Sequence, residues 1–110
     1  MDTGCIVVFI TVDSPENAQK LADKLLTERQ AACVNIIPGV KSHYWWQGKI
    51  EKTDELMLVV KSRAALLDDL IKLVKENHSH NVPEIVSLPI IGGNEDYLKW
   101  IKKETMGKPE

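Results

Sequence analysis

An α+β fold of order β-α-β-β-α-β, closed by an added C-terminal helix, is what this sequence predicts. Three observations carry it: a continuous β-favouring run near the start, two stripes of apolar residues at helical spacing, and between them one very long hairpin. Cys5 to Thr11 is the first strand, apolar enough to be buried on both faces. Asp13-Ser14-Pro15 then starts a helix, with Ser14 as N-cap and Pro15 at the first helical position. Ala18, Leu21, Ala22, Leu25 and Leu26 give that helix one apolar stripe, ending near Arg29-Gln30.

The hairpin comes next. Its outgoing arm runs from Ala32 to Trp46, Gln47-Gly48 is a two-residue loop, and the return arm runs from Lys49 to Val60 with Leu56, Leu58 and Val60 alternating. Pro38-Gly39 interrupts the outgoing arm and marks a bulge or bend. Ser62 is placed to cap a second helix, whose apolar face is Leu66, Leu67, Leu70, Ile71, Leu73 and Val74. That helix stops near Asn77, because the following residues lose the periodicity and end at Pro83. Glu84 to Ile91 reads as the last strand, and Asn94 caps a final helix carrying Tyr97, Leu98, Trp100 and Ile101. The tail after Thr105 is expected to fray. Residues 1–110 form one domain, and the element order is that of the split βαβ, or ferredoxin-like, arrangement.

Arm length has a consequence of its own. Ala32 to Trp46 would span roughly 50 Å if straight, at about 3.3 Å per residue. A domain of this size has a radius of gyration near 13 Å and is only about 35 Å across. The tip with Tyr44, Trp45 and Trp46 must therefore curl or leave the parent domain. Exposed aromatics on free strand edges invite another chain, so the hairpin reads as an assembly device.

Composition sets the outer limits. The chain has 110 residues, 44% hydrophobic and 27% charged, with a net charge of −2 and a pI near 5.9. This balance gives no electrostatic reason to expect nucleic acid or an acidic membrane as partner. The apolar run Cys5–Ile10 is too short to span a bilayer and lacks the pattern of a secretory signal. Two cysteines, Cys5 and Cys33, fit a reducing compartment, and cytoplasm is the expected location.

Several separated motifs carry a family resemblance. Ala31 to Pro38, Tyr44 to Glu51, Pro83-Glu84-Ile85 and Asn94 to Trp100 occur in an order that resembles the CutA family of divalent-cation tolerance proteins. The resemblance covers essentially the whole chain. It implies a ferredoxin-like subunit, a tight homotrimer like that of the PII signalling proteins, and a role in the response to metal ions, chiefly copper. It also places Cys33, Lys61 and Glu84 near a cleft between subunits.

Metal binding needs ligands in this chain. Copper(II) favours imidazole and carboxylate, and the densest donors are His78, His80 and Glu84, with the Asn81 amide beside them. His78 matches the family's histidine and His80 replaces a tyrosine. Relatives with proposed copper ligands have a second histidine where this chain has Asn77 and a cysteine where it has Ile10. Copper(II) or another divalent cation is thus the candidate cofactor, not one required for folding. The competing reading of His78 is a polar loop residue gaining from the helix dipole.

Of the remaining candidates, His43 reads as a surface or interface residue and Cys33 as a small core hydrophobe. Tyr44, Trp45, Trp46 and Trp100 are the expected trimer contacts, because aromatics concentrate at interfaces. Glu51 to Glu55 reads as a solvated charged stretch. The sequence has no phosphate-cradling loop, nucleophile elbow or Cys-x-x-Cys motif, so catalysis is not expected. Two readings of function remain: a trimeric metal-ion binder of copper tolerance, and a PII-like scaffold or sensor holding a small ligand or protein partner in its inter-subunit clefts.

Overall fold

The computed structural model describes residues 2–106. Its elements are β1 (Cys5–Val12), α1 (Pro15–Thr27), β2 (Cys33–Trp46), β3 (Lys49–Arg63), α2 (Leu67–Asn77), β4 (Ile85–Pro89) and α3 (Glu95–Glu104). The sheet is antiparallel in the order β2-β3-β1-β4, the split βαβ topology the element order implied.

One face of the sheet makes the core. Ile6, Val8, Ile10 and Val12 of β1 and Leu58 and Val60 of β3 alternate towards the helices. There they meet Ala18, Leu21 and Leu25 of α1 and Leu70 and Val74 of α2. Leu26, placed in the α1 stripe from its spacing, stays 40% exposed at the end of the helix. The Ser14 hydroxyl accepts the Asn17 N–H at 3.1 Å, so the predicted cap forms. At the other end of α1, Arg29 adopts a φ of 57°. Its N–H donates to the Leu26 carbonyl, and that of Gln30 to Leu25, which satisfies the last carbonyls of the helix.

The predicted cap of α2 does not form. Ser62 is the penultimate residue of β3 and fully buried, and its hydroxyl donates to the Gln30 carbonyl at 2.6 Å. A 3₁₀ turn at Ala64–Leu66 precedes α2, which has no side-chain cap; Asp68 and Asp69 in its first turn complement the dipole instead. Asn94 does cap α3, accepting the Asp96 N–H at 3.0 Å. The fourth strand is shorter than expected, Ile85–Pro89, leaving Glu84 in the preceding loop. Pro89 ends this edge strand, where a missing N–H costs least. Of the tail expected to fray, residues 107–110 lie outside the described residues.

The other face of the sheet is only partly covered. Cys5 and Arg63 meet α3, through Sγ against the Leu98 carbonyl at 3.8 Å and through the guanidinium to Thr105 at 2.8 and 2.9 Å. Beyond α3 the face carries Phe9, Val59, Ile37, Val86 and Leu88 in register. Ile37, Val86 and Leu88 are each 48% exposed, an apolar strip left uncovered among the described residues.

The hairpin outgrows its sheet. Pairing with β1 ends at Val12–Leu56, while β2 and β3 continue together to Trp46–Lys49. A bulge falls at this boundary: from Ile37–Met57 to Val40–Glu55, β2 spends one residue more than β3, with Gly39 at φ 77°. The tip turn at Gln47-Gly48 has φ of 50° and 80°, the left-handed pair that a two-residue hairpin requires. The ribbon curls towards the loop 79–84, with which its side chains share one groove; the longest extent of the molecule is 44 Å.

Candidate functional site

The curl of the ribbon builds a groove. Its walls are the distal β2–β3 ribbon and the loop 79–84, and its volume is about 830 Å³. That lies within the range of small-molecule sites, about 300–1,000 Å³. The extra residue at the bulge sets which side chains form the ribbon wall. Val40, Ser42, Tyr44 and Trp46 pair with Glu55, Thr53, Glu51 and Lys49, so they share a face with Glu55 and Met57. His43 and Trp45 complete the ribbon's share of the lining, and Thr11 closes the groove from β1. His80, Val82, Pro83 and Glu84 face them from the loop.

That loop is pinned by His78. Its Nε2 lies 2.7 Å from the Thr11 carbonyl, and its Nδ1 accepts the His80 N–H at 3.0 Å. Since a carbonyl can only accept, the hydrogen sits on Nε2 and the ring is neutral. Both nitrogens are thereby used. The next residue adds a second tie, as Ser79 Oγ donates to Asp13 at 2.9 Å. Asn17 Nδ2 donates to the other Asp13 oxygen at 2.8 Å. These hydrogen bonds, Asn17 first, hold the Asp13 carboxyl below its ordinary range against a smaller opposing effect of burial.

The three metal candidates are not equivalent in this arrangement. His80 and Glu84 face the groove, and the His80 ring lies 5.0 Å from that of His78. His78 could ligate an ion only by giving up one of its two hydrogen bonds. Among the described residues, no group of three or more His, Cys, Asp or Glu side chains is arranged to hold a metal ion. The donor set of one chain therefore does not fit a complete divalent-cation site.

The three expected cleft residues are divided as well. Cys33 and Lys61 are cross-strand neighbours. The Lys61 ammonium hydrogen-bonds Asn35, and the Cys33 thiol points at the same amide oxygen from 3.8 Å. Burial, and then a hydrogen bond with Cys33, raise the Tyr97 phenol above its ordinary range. Tyr97 in turn stacks on Trp100 at 5.5 Å. This cluster sits at the α3 end of the sheet, whereas Glu84 belongs to the groove.

Glu55 is the residue that sequence reasoning missed. It ends a charged stretch that reads as solvated, yet it is 7% exposed. Its neighbours Lys41 and Asp54 behave as expected, forming an exposed ion pair at 2.6 Å. The available signal was parity: Glu55 falls in step with Met57 and Val59 on the open face.

The fold defines a class, the small ferredoxin-like domains with an extended β2–β3 ribbon. The chain belongs to the CutA1 divalent ion tolerance protein family, whose model matches residues 6–104. It is 49% identical over 100 residues to the chloroplastic protein CutA 1 of Oryza sativa subsp. japonica, which covers 91% of this chain and 56% of that protein. The divalent-cation tolerance protein CutA of Thermus thermophilus is 48% identical over 99 residues, covering 90% of this chain and 96% of the relative. The crystal structure of CutA1 from Oryza sativa superposes with a TM-score of 0.89 at 48% identity, over 91% of this chain and 92% of that one. The chain spans little more than half the length of the plant relatives, 56% and 55%.

Proposed function

We propose that this chain acts in divalent-cation tolerance as a homotrimer, meeting copper(II) or another divalent cation through open donors and not through a closed cage. The observation that carries this reading is the placement of His80 and Glu84 on one groove wall, with His78 holding that wall in place. Imidazole with carboxylate suits copper(II), and a two-donor contact leaves room for water or a neighbouring subunit to complete it. The names of the relatives support the cation role. The trimer is supported by the uncovered strip of Ile37, Val86 and Leu88, and by the ribbon tip, where Trp45 is 72% and its cross-strand partner Ile50 58% exposed.

A copper(II) titration against a competing chelator tests the reading. His80→Ala is expected to weaken binding at least tenfold, which is about 1.4 kcal/mol. Unchanged affinity in both His80→Ala and Glu84→Gln would remove the metal reading.

One observation favours a second reading, the PII-like scaffold or sensor. The groove is far larger than an ion requires and is walled by aromatic side chains, which suits an organic ligand. In that case copper binds weakly and without fixed stoichiometry, and the groove ligand carries the activity.

A further inference from the structure

We infer that α3 is a latch. Hinged at Gly92-Gly93 and caught at its carboxyl end by Arg29 and Arg63, it opens as a unit and bares the buried Cys5 thiol while the sheet and the other helices stay folded. The catch is built from two arginines of different elements. Arg29, just past α1, donates to the Glu104 carbonyl at 3.1 Å and to its carboxylate at 3.0 Å. Arg63, the last residue of β3, donates to the Thr105 hydroxyl at 2.8 Å and to its carbonyl at 2.9 Å. The free carbonyls at the end of a helix seek such donors. Arg29 holds its place at a cost, because its φ of 57° lies in the left-handed region that suits glycine. Backbone strain of this kind points to a side chain that is used, and the Glu104 contacts are its use.

The packing beneath the helix is light. Of its ten residues Ile101 alone is fully buried, whereas α1 buries Ala18, Leu21, Ala22 and Leu25. Tyr97 and Trp100 stay exposed. A helix this short is marginal in water on its own, and elements with few buried contacts open at the low end of the free-energy range. The hinge lies between two fixed points: Ile90, whose N–H donates to the Cys5 carbonyl at 3.0 Å, and Asn94, which caps α3. Gly92 and Gly93 between them are exposed. A Cβ at Gly92 would meet nothing within 4 Å, and one at Gly93 only Leu98 at 4.0 Å, so the pair is kept for freedom and not for space. Beneath the helix Cys5 is 1% exposed, its Sγ 3.8 Å from the Leu98 carbonyl. Opening therefore adds the Cys5–Arg63 pair to the uncovered face of the sheet.

The test follows alkylation of the full chain by N-ethylmaleimide, resolved by peptide mass so that Cys5 is read apart from Cys33. Global unfolding in urea and assembly mass are measured alongside. Cys5 is expected to react faster than global unfolding allows, at a rate nearly independent of low urea and of protein concentration. Arg29→Gly should speed that reaction by about fivefold or more with the global midpoint close to unchanged, since glycine relieves the strained φ. Joint replacement of Gly92 and Gly93 by alanine should slow it about two- to fivefold. If Cys5 reacts only in step with global unfolding, the latch is overturned. An unchanged rate in Arg29→Gly overturns the catch, and a rate that falls as protein concentration rises shows that a second copy, not α3, covers the thiol. Should Arg29→Gly fold poorly, the urea dependence of the unaltered chain still decides.

Discussion

The base and the tip of the β2–β3 hairpin are made of the same chemistry and live under different rules. At the base, Leu58 and Val60 are fully buried between β1 and the helices. Past Val12–Leu56 the two arms pair only with each other, and Tyr44, Trp45, Trp46 and Ile50 remain exposed. The base is thus specified by the chain's own core. The tip has strand geometry without burial, and a two-stranded ribbon alone is marginal in water. The proposed trimer would supply the cover that the tip lacks among the described residues.

The largest effect expected from breaking this comparison lies at the base. Leu58→Ala opens a cavity against β1, α1 and α2 and costs about 2–5 kcal/mol, to be read from denaturant unfolding. At the tip, joint replacement of Trp45 and Trp46 by alanine should act through assembly. The melting temperature falls by roughly 4–8 °C for each kcal/mol of lost cover, together with a loss of trimer mass in sedimentation. A tip variant with unchanged mass and melting temperature would show that the aromatics serve the groove alone.

The smallest effect concerns the loop opposite the tip. The Asp13 carboxyl is held below its ordinary range by Asn17 and Ser79. A depressed carboxyl stabilises the folded state above its ordinary pKa and loses that contribution as pH falls through the folded value. Hydrogen-exchange protection at Ser79–Asn81 should therefore decline only below about pH 4, and Asp13→Asn should weaken it at neutral pH. Equal protection in both proteins across this range would show that His78 holds the loop unaided.

Much of the fold was legible because its signals are local. Ser14-Pro15, Gln47-Gly48 and Asn94 each fix a cap or turn through their own backbone needs, and the structure follows them. Ser62 misled because a hydroxyl before an apolar run suits a cap and a buried tie to a distant carbonyl equally well. The site was less legible. The donors His80 and Glu84 can be picked from composition, but the engagement of His78 Nε2 depends on Thr11, 67 positions away. Glu55 stayed hidden because its low exposure belongs to the groove between the ribbon and the loop 79–84, which its charged sequence neighbours do not reveal.

The bulge at Gly39 is a phase shifter. Before it, the odd-numbered residues of β2 share the face of Met57 and Val59; after it, the even-numbered residues do. Losing the one extra residue there would leave every pair on either side in place, Ile37–Met57 towards the sheet and Val40–Glu55 towards the tip, and would take away only the local kink. Chain length at this one point is therefore a dial for the angle at which the ribbon leaves the sheet, while Tyr44 and Trp46 keep the face they have.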